Sequence, residues 1–168
     1  MIVLAPGELA DAVPARIASA RELVIASADG DVNGRSAAVL LLSDYAVATP
    51  RSVITIDSAE GWAGVVWRLG ADAFRMHVSG VVTFTAAGAR DAQLIDDAVA
   101  DLDEWRERFF ASRSALALDS AAMLIGRRGG DALERAEFAC LFAAGEPQRG
   151  LSAFLEKRRP RFQFNVAR

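Results

Sequence analysis

Two turn signals, Asp29-Gly30 and Asn33-Gly34, stand four residues apart, and the apolar run Ala37–Leu42 follows them directly. A glycine loop that feeds a helix can do chemistry without any special side chain. The first N–H groups of a helix have no intrahelical acceptor and point outward, so they can hold an anion or a developing oxyanion. The segment Ser36–Ser43, SAAVLLLS, is small and apolar on every side. It predicts a helix buried in the interior, with Ser36 as its N-cap. Other chemistry-bearing types are sparse. His77 is the only histidine and Cys140 the only cysteine. One histidine excludes a multi-histidine metal site, and Asp96-Asp97 has no partner carboxylates at metal spacing, so no metal is expected. His77 falls in a predicted helix and reads as structural. Cys140 lies in an apolar helical stretch and reads as core packing. Trp62 and Trp67 read as core or interface, not as a cofactor cage.

The elements that must position the loop are legible around it. Leu23–Ala26 is a short branched apolar run, a buried strand. Tyr45–Ala48 is another, so the order is strand, glycine loop, central helix, strand. Met1–Leu4 and Val53–Ile56 read as further strands. Glu8–Arg21 has helical spacing interrupted by Pro14, which predicts a kink there or a helix that begins there. Trp62–Leu69 starts a helix. Asp101–Leu118 predicts one charged amphipathic helix containing Trp105, Phe109 and Phe110. Gly126–Gly130 is a turn, Asp131 caps a helix over Ala132–Ala144, and Gln148–Arg158 forms a last helix. The expected organisation is an α/β core over residues 1–100 and a helical part over 101–168.

Composition narrows the function classes. With 168 residues, 52% of them apolar, the chain can bury a sizeable core. A net charge of −3 gives no electrostatic footprint for nucleic acid. Apolar runs such as Ala37–Leu42 are far shorter than the roughly 20 residues of a membrane span. No charged n-region followed by an apolar h-region opens the chain. A single cysteine excludes an internal disulfide and suits a reducing compartment, so a cytoplasmic protein is expected. The basic residues are arginines apart from Lys157.

Leu23–Asp44 resembles the crotonase (enoyl-CoA hydratase/isomerase) superfamily, whose pattern there reads roughly P-V-I-A-A-V-x-G-x-A-x-G-G-G-x-E-L-A-x-x-C-D. Laid on without gaps, Gly30 takes the first glycine, Gly34 the first of the triple glycine and Asp44 the closing aspartate. Arg35 and Ser36 replace the other two glycines, and Ala38 stands where the family has its first catalytic glutamate. Arg68-Leu69 is similar to a later R-L, and Leu94-Ile95-Asp96 to L-V-D. Leu151–Phe162 is similar to the C-terminal G-x-x-A-F-x-E-K-R-x-P-x-F, the most specific match in the chain. The resemblance covers about residues 20 to 162.

The resemblance implies an α/β fold with a crotonase-like spiral core, truncated at its N-terminal part, and a C-terminal helical part that mediates trimerisation. It implies an enoyl-CoA hydratase/isomerase-like protein of fatty acid metabolism, a lyase or isomerase, acting on an acyl-CoA thioester through an oxyanion hole. CoA is then substrate or ligand, and no separate cofactor is expected. The backbone N–H of Arg35 falls on one oxyanion donor. The other donor position falls on Pro6, which has no N–H. The second catalytic glutamate falls on Ser58, and Asp57 and Glu60 are the nearest carboxylates that could carry a proton. Phe154 and Lys157 match residues that touch CoA. The partners implied are acyl-CoA and copies of the chain in a homotrimer or hexamer, or a full-length crotonase that this chain completes. The departures at Ala38 and Ser58 support an alternative, a non-catalytic acyl-CoA-binding pseudoenzyme or partner subunit.

Overall fold

A computed structural model of the chain describes residues 1–20, 22–77, 80–111, 113–127 and 131–162, with backbone alone for 71–77 and 126–127. The described residues of Val3–Ala20 and Val24–Leu102 form one compact unit. Those of Met1–Ile2, Arg21–Leu23 and Asp103–Arg168 form another.

The first unit is α/β. In chain order it carries β1 (Ile2–Leu4), α1 (Pro14–Ala18), β2 (Val24–Ala28), β3 (Asp31–Val32), α2 (Gly34–Leu42), β4 (Tyr45–Ala48), β5 (Val53–Ile56), α3 (Ala59–His77), β6 (Val82–Thr85), α4 (Ala86–Asp91) and β7 (Asp97–Ala98). One sheet has the order β1-β2-β4-β7 and the other β3-β5-β6. β2 and β4 run parallel, with Ile25 opposite Tyr45 and Ala28 opposite Ala48. Parallel strands joined by a helix are covered on both faces, which is why β2 and β4 read as continuous apolar runs. β3 is parallel to β5, and β5 antiparallel to β6. β6, Val82–Thr85, is a strand without a strong local signal. Its residues alternate between half-buried and exposed, as a strand covered on one face does.

One local expectation needs correction, at the start of α2, and one holds, at Pro14. α2 begins at Gly34, not at Ser36, and Asn33 is its N-cap without a side-chain bond. The orphan Gly34 N–H instead donates to Asp57 Oδ1 at 2.9 Å. A cap delivered from 23 residues downstream leaves no local signature. α1 begins at Pro14, whose fixed φ suits a first helical position.

α2 is buried along Ala37–Leu41 and crosses α3 closely. A Cβ at Gly64 would lie 2.5 Å from Leu41 Cβ, so only glycine lets the two helices meet. α3 then closes the far end of α2 with a cation. The Arg68 side chain is only 9% exposed. Its Nε donates to the Leu41 carbonyl at 3.0 Å and its Nη2 to the Ser43 carbonyl at 2.8 Å. Its Nη1 donates to Asp96 Oδ2 at 2.7 Å, and that oxygen also accepts the Ala46 N–H at 2.7 Å. One guanidinium therefore caps the C-terminus of α2, where the helix dipole favours positive charge, and ties it to the entry of β7.

The second unit is helical: α5 (Leu102–Phe110), α6 (Ala115–Arg127), α7 (Asp131–Ala143) and α8 (Glu146–Leu155). The single helix expected over Asp101–Leu118 is two. Arg113 donates to the Phe109 carbonyl and lies 4.3 Å from the centroid of its ring, which closes α5. Ser114 Oγ then accepts the Ala117 N–H and starts α6. Ser120 of α6 donates to Glu137 of α7 at 2.9 Å. Cys140, expected in the core, is exposed on α7. An apolar helical stretch shows only that some partner could cover it, and α7 buries no described residue. Phe138 and Phe142 of α7 and Leu151, Phe154 and Leu155 of α8 are also exposed.

Two outcomes follow. Arg68→Met leaves two carbonyls at the end of α2 without their donor and takes one of two donors from the Asp96 carboxylate, so it should cost about 3 kcal/mol. That lowers Tm by roughly 6–12 °C in a thermal melt, whereas a shift below about 2 °C would show the clasp to be dispensable. The second concerns Asp29. It accepts bonds from Arg51 Nη2 at 2.5 Å and Nε at 2.9 Å, and from Thr49 Oγ1 at 2.6 Å. The Arg51 guanidinium, helped by Thr49, holds its carboxyl below the ordinary value of 3.8. A depressed folded pKa stabilises the fold above the unfolded value, and the contribution is lost as pH falls through the folded one. Asp29→Asn should therefore lower Tm at pH 7 and match the wild type near pH 2. An equal deficit at both values would show that the charge is not what the clasp uses.

Candidate functional site

β3 and β5 are parallel, so their C-terminal ends leave the sheet on the same side. β3 delivers the chain to Asn33-Gly34 and the start of α2. β5 delivers it to Asp57-Ser58 and the start of α3. The carboxyl edge of a parallel pair is where loops are free to build a site. Gly34 turns into α2 with φ +48 and Gly30 enters the loop with φ +105, both left-handed conformations that favour glycine.

Asp57 joins the two loops, because its carboxylate accepts the Gly34 N–H. Ser58, the position aligned with a catalytic glutamate, is a helix cap: its Oγ accepts the Gly61 N–H at 3.1 Å and so begins α3. Ala38, aligned with the other glutamate, is fully buried inside α2.

Arg35 and Glu60 come together. Both line a depression of about 520 Å³, with Val13, Pro14 and Ala15 as its other walls. Each of these residues sits at or beside the first turn of a helix: Val13 to Ala15 open α1, Arg35 opens α2 and Glu60 opens α3. Helix starts carry partial positive charge and unpaired N–H groups, so their convergence favours negative charge in the depression. The α2 start is partly engaged, since Asp57 takes the Gly34 N–H, while the N–H groups of Arg35 and Ser36 have no acceptor within the helix. A cation in a first turn opposes the helix dipole, so Arg35 gains from any negative charge placed beside it. Glu60 supplies one such charge. Among the described residues no group of three or more His, Cys, Asp or Glu could hold a metal ion.

Sequence reasoning missed the α1 wall. Pro14 was its one signal, since a proline that opens a helix also fixes where that helix's free amides lie. At the N-terminal end, Pro6 opens a 3-10 turn, Pro6–Glu8, whose entry is closed by Ala5 N–H donating to Glu8 Oε2 at 2.7 Å.

Phe154 and Lys157 lie in the helical unit. Phe154 is 78% exposed on α8. Lys157 follows the end of α8 with φ +52, unusual for a residue other than glycine. Its N–H donates to the Phe154 carbonyl at 3.1 Å, and the Arg158 N–H to the Ala153 carbonyl at 2.9 Å, a Schellman closure with lysine in the left-handed position.

Among the described residues no helix is long and apolar enough to cross a membrane. No protein-family model matches the chain, and no curated protein sequence matches it significantly. Solved structures do. An enoyl-CoA hydratase/isomerase from Marinobacter aquaeolei superposes with a TM-score of 0.64 at 22% identity, over 88% of this chain and 63% of that one. An enoyl-CoA hydratase from Polaromonas sp. JS666 gives 0.68 at 22% identity, over 89% and 66%. An enoyl-CoA hydratase subunit I from Geobacillus kaustophilus HTA426 gives 0.68 at 24% identity, over 94% and 68%. The chain thus spans about two thirds of the length of these structures, and over that span it has the fold of the enoyl-CoA hydratase/isomerase (crotonase) proteins.

Proposed function

We propose that the chain is an enoyl-CoA hydratase/isomerase-like protein that acts on an acyl-CoA thioester at the depression between Arg35 and Glu60. The convergence of three helix starts on one depression carries this reading. A thioester carbonyl placed there meets the Arg35 N–H, which stabilises the enolate oxygen that develops when an α-proton leaves. Glu60 accepts that proton and returns it. Asp57 is the second carboxylate of the site; its bond to the Gly34 N–H holds the α2 start in place, which leaves Glu60 as the better proton carrier. Reversible proton removal needs one base. Addition of water across a double bond with two glutamates is disfavoured, because Ala38 is buried and Ser58 is engaged as a cap.

In the helical unit, Phe154 and Lys157 are the proposed contacts to CoA, Lys157 as a cation for phosphate. The exposed apolar faces of α7 and α8 are the proposed surfaces of a homotrimer or hexamer, or of a complex with a full-length crotonase. No separate cofactor enters, and the protein works in the cytoplasm, as a lyase or isomerase of fatty acid metabolism. The same two substitutions, Ala38 and Ser58, favour the second reading, a non-catalytic acyl-CoA-binding subunit.

Exchange of the α-protons of butyryl-CoA in D₂O, read by mass spectrometry, separates the two. The wild type should exchange, and Glu60→Gln should slow exchange by roughly 10²-fold or more, the usual worth of a general base. Asp57→Asn should slow it less. No exchange with CoA still bound supports the non-catalytic reading. Exchange indifferent to Glu60→Gln would remove Glu60 from the mechanism.

A further inference from the structure

The polar face of α8 carries a cluster that the acyl-CoA reading does not use. Arg149, Ser152 and Glu156 share that face at helical spacing, and Arg158 and Arg161 return to it after the helix ends. With Gln148 they line a depression of about 340 Å³. A second depression, of about 530 Å³, adjoins the same two arginines and adds Arg159, Pro160 and Ala111. Phe154 lies on the opposite side of α8, because two residues from Ser152 is more than half a turn.

The arginines are held rather than loose. Glu146 is nearly buried, its side chain 10% exposed, and its Oε1 fixes Arg149 Nη1 at 2.5 Å. Glu156 binds Arg158 Nε. The Schellman closure at Lys157 and the restriction imposed by Pro160 set the direction of the returning chain. Each guanidinium has five N–H donors in a planar fork, so one carboxylate leaves most of them available. Arg161 has no carboxylate partner among the described residues. Three guanidiniums and one carboxylate, Glu156, therefore line one hollow, beside a serine hydroxyl that can donate.

We infer that this face of α8 binds a small phosphorylated anion, a phosphomonoester or a pyrophosphate group. Planar forks match phosphate oxygens in pairs, which lysine does not. The charge is gathered at one point rather than spread along a stripe, which suits a small anion better than a polymer.

Calorimetric titration of the full chain with inorganic pyrophosphate tests this, first alone and then with CoA at saturating concentration. One saturable site is expected, weakened as salt rises. Arg161→Gln should weaken binding roughly tenfold, the worth of a charge-assisted hydrogen bond pair. Ser152→Ala should weaken it less, and Arg106→Gln, an exposed arginine on α5 outside this face, should leave it unchanged. Additive binding of pyrophosphate and CoA is expected, as for a ligand separate from CoA, whereas competition would return this face to the CoA contacts already proposed and overturn the inference. The inference is overturned by heats that do not saturate, by Arg161→Gln binding like the wild type, or by Arg106→Gln weakening binding as much as Arg161→Gln. Arg161 is exposed, so its replacement leaves folding intact, and none of these results depends on whether acyl-CoA is turned over.

Discussion

The guanidinium of Arg68, carried on α3, joins the end of α2 to the entry of β7. It closes the last carbonyls of α2, donates to the Asp96 carboxylate before β7, and does so from a side chain almost without contact to water. Removing a cation from water is costly unless its donors are all placed, and here each branch of the fork meets an oxygen. The consequence reaches the opposite end of α2. A helix clamped at its C-terminus and pressed against α3 at Gly64 has one place to start. That start, at Gly34, is where Asp57 waits. Position at the candidate site is thus inherited from an ion pair at the other end of the same helix.

Electrostatics at the site follow from backbone geometry more than from side chains. α1, α2 and α3 each open onto the depression; Pro14 brings no N–H, and the Arg35 and Ser36 N–H groups at the start of α2 supply a positive field that no titratable residue has to carry. Against that field the side chains divide the work. Asp57 takes up one orphan donor and fixes the loop, Ser58 takes another in α3, and Glu60 remains directed to the depression with Arg35. Two of the residues that sequence similarity associates with proton transfer, Ala38 and Ser58, perform structural tasks in this chain: one fills the core, the other caps a helix. In the proposed function this favours one-base proton exchange or plain binding over two-carboxylate hydration.

The strands β2, β4 and β5 and the buried helix between β2 and β4 were legible because their signals are local: branched apolar runs, and glycines where the chain turns. The Arg68-Leu69 and Leu94-Ile95-Asp96 matches likewise pointed to residues that the structure brings together, since Arg68 bonds Asp96. What was not legible is what depends on distant partners. Ser36 looked like a cap, but Asp57 does that work from another loop. Cys140 looked like core, but apolarity cannot say whether a helix face finds a cover within its own chain. The break between α5 and α6 rests on Arg113 stacking on Phe109, a contact that competes with helix continuation only once both side chains are in place. Val13 to Ala15 entered the site through folding alone.

A crystal structure of the full chain with a non-hydrolysable acyl-CoA analogue bears most directly on the claim that the three helix starts form the working site. The carbonyl oxygen should lie about 3 Å from the Arg35 nitrogen, the distance of a backbone oxyanion donor, with the Glu60 carboxylate beside the α-carbon. An analogue bound with its carbonyl away from the start of α2, or with no carboxylate near its α-carbon and the depression empty, would contradict the account.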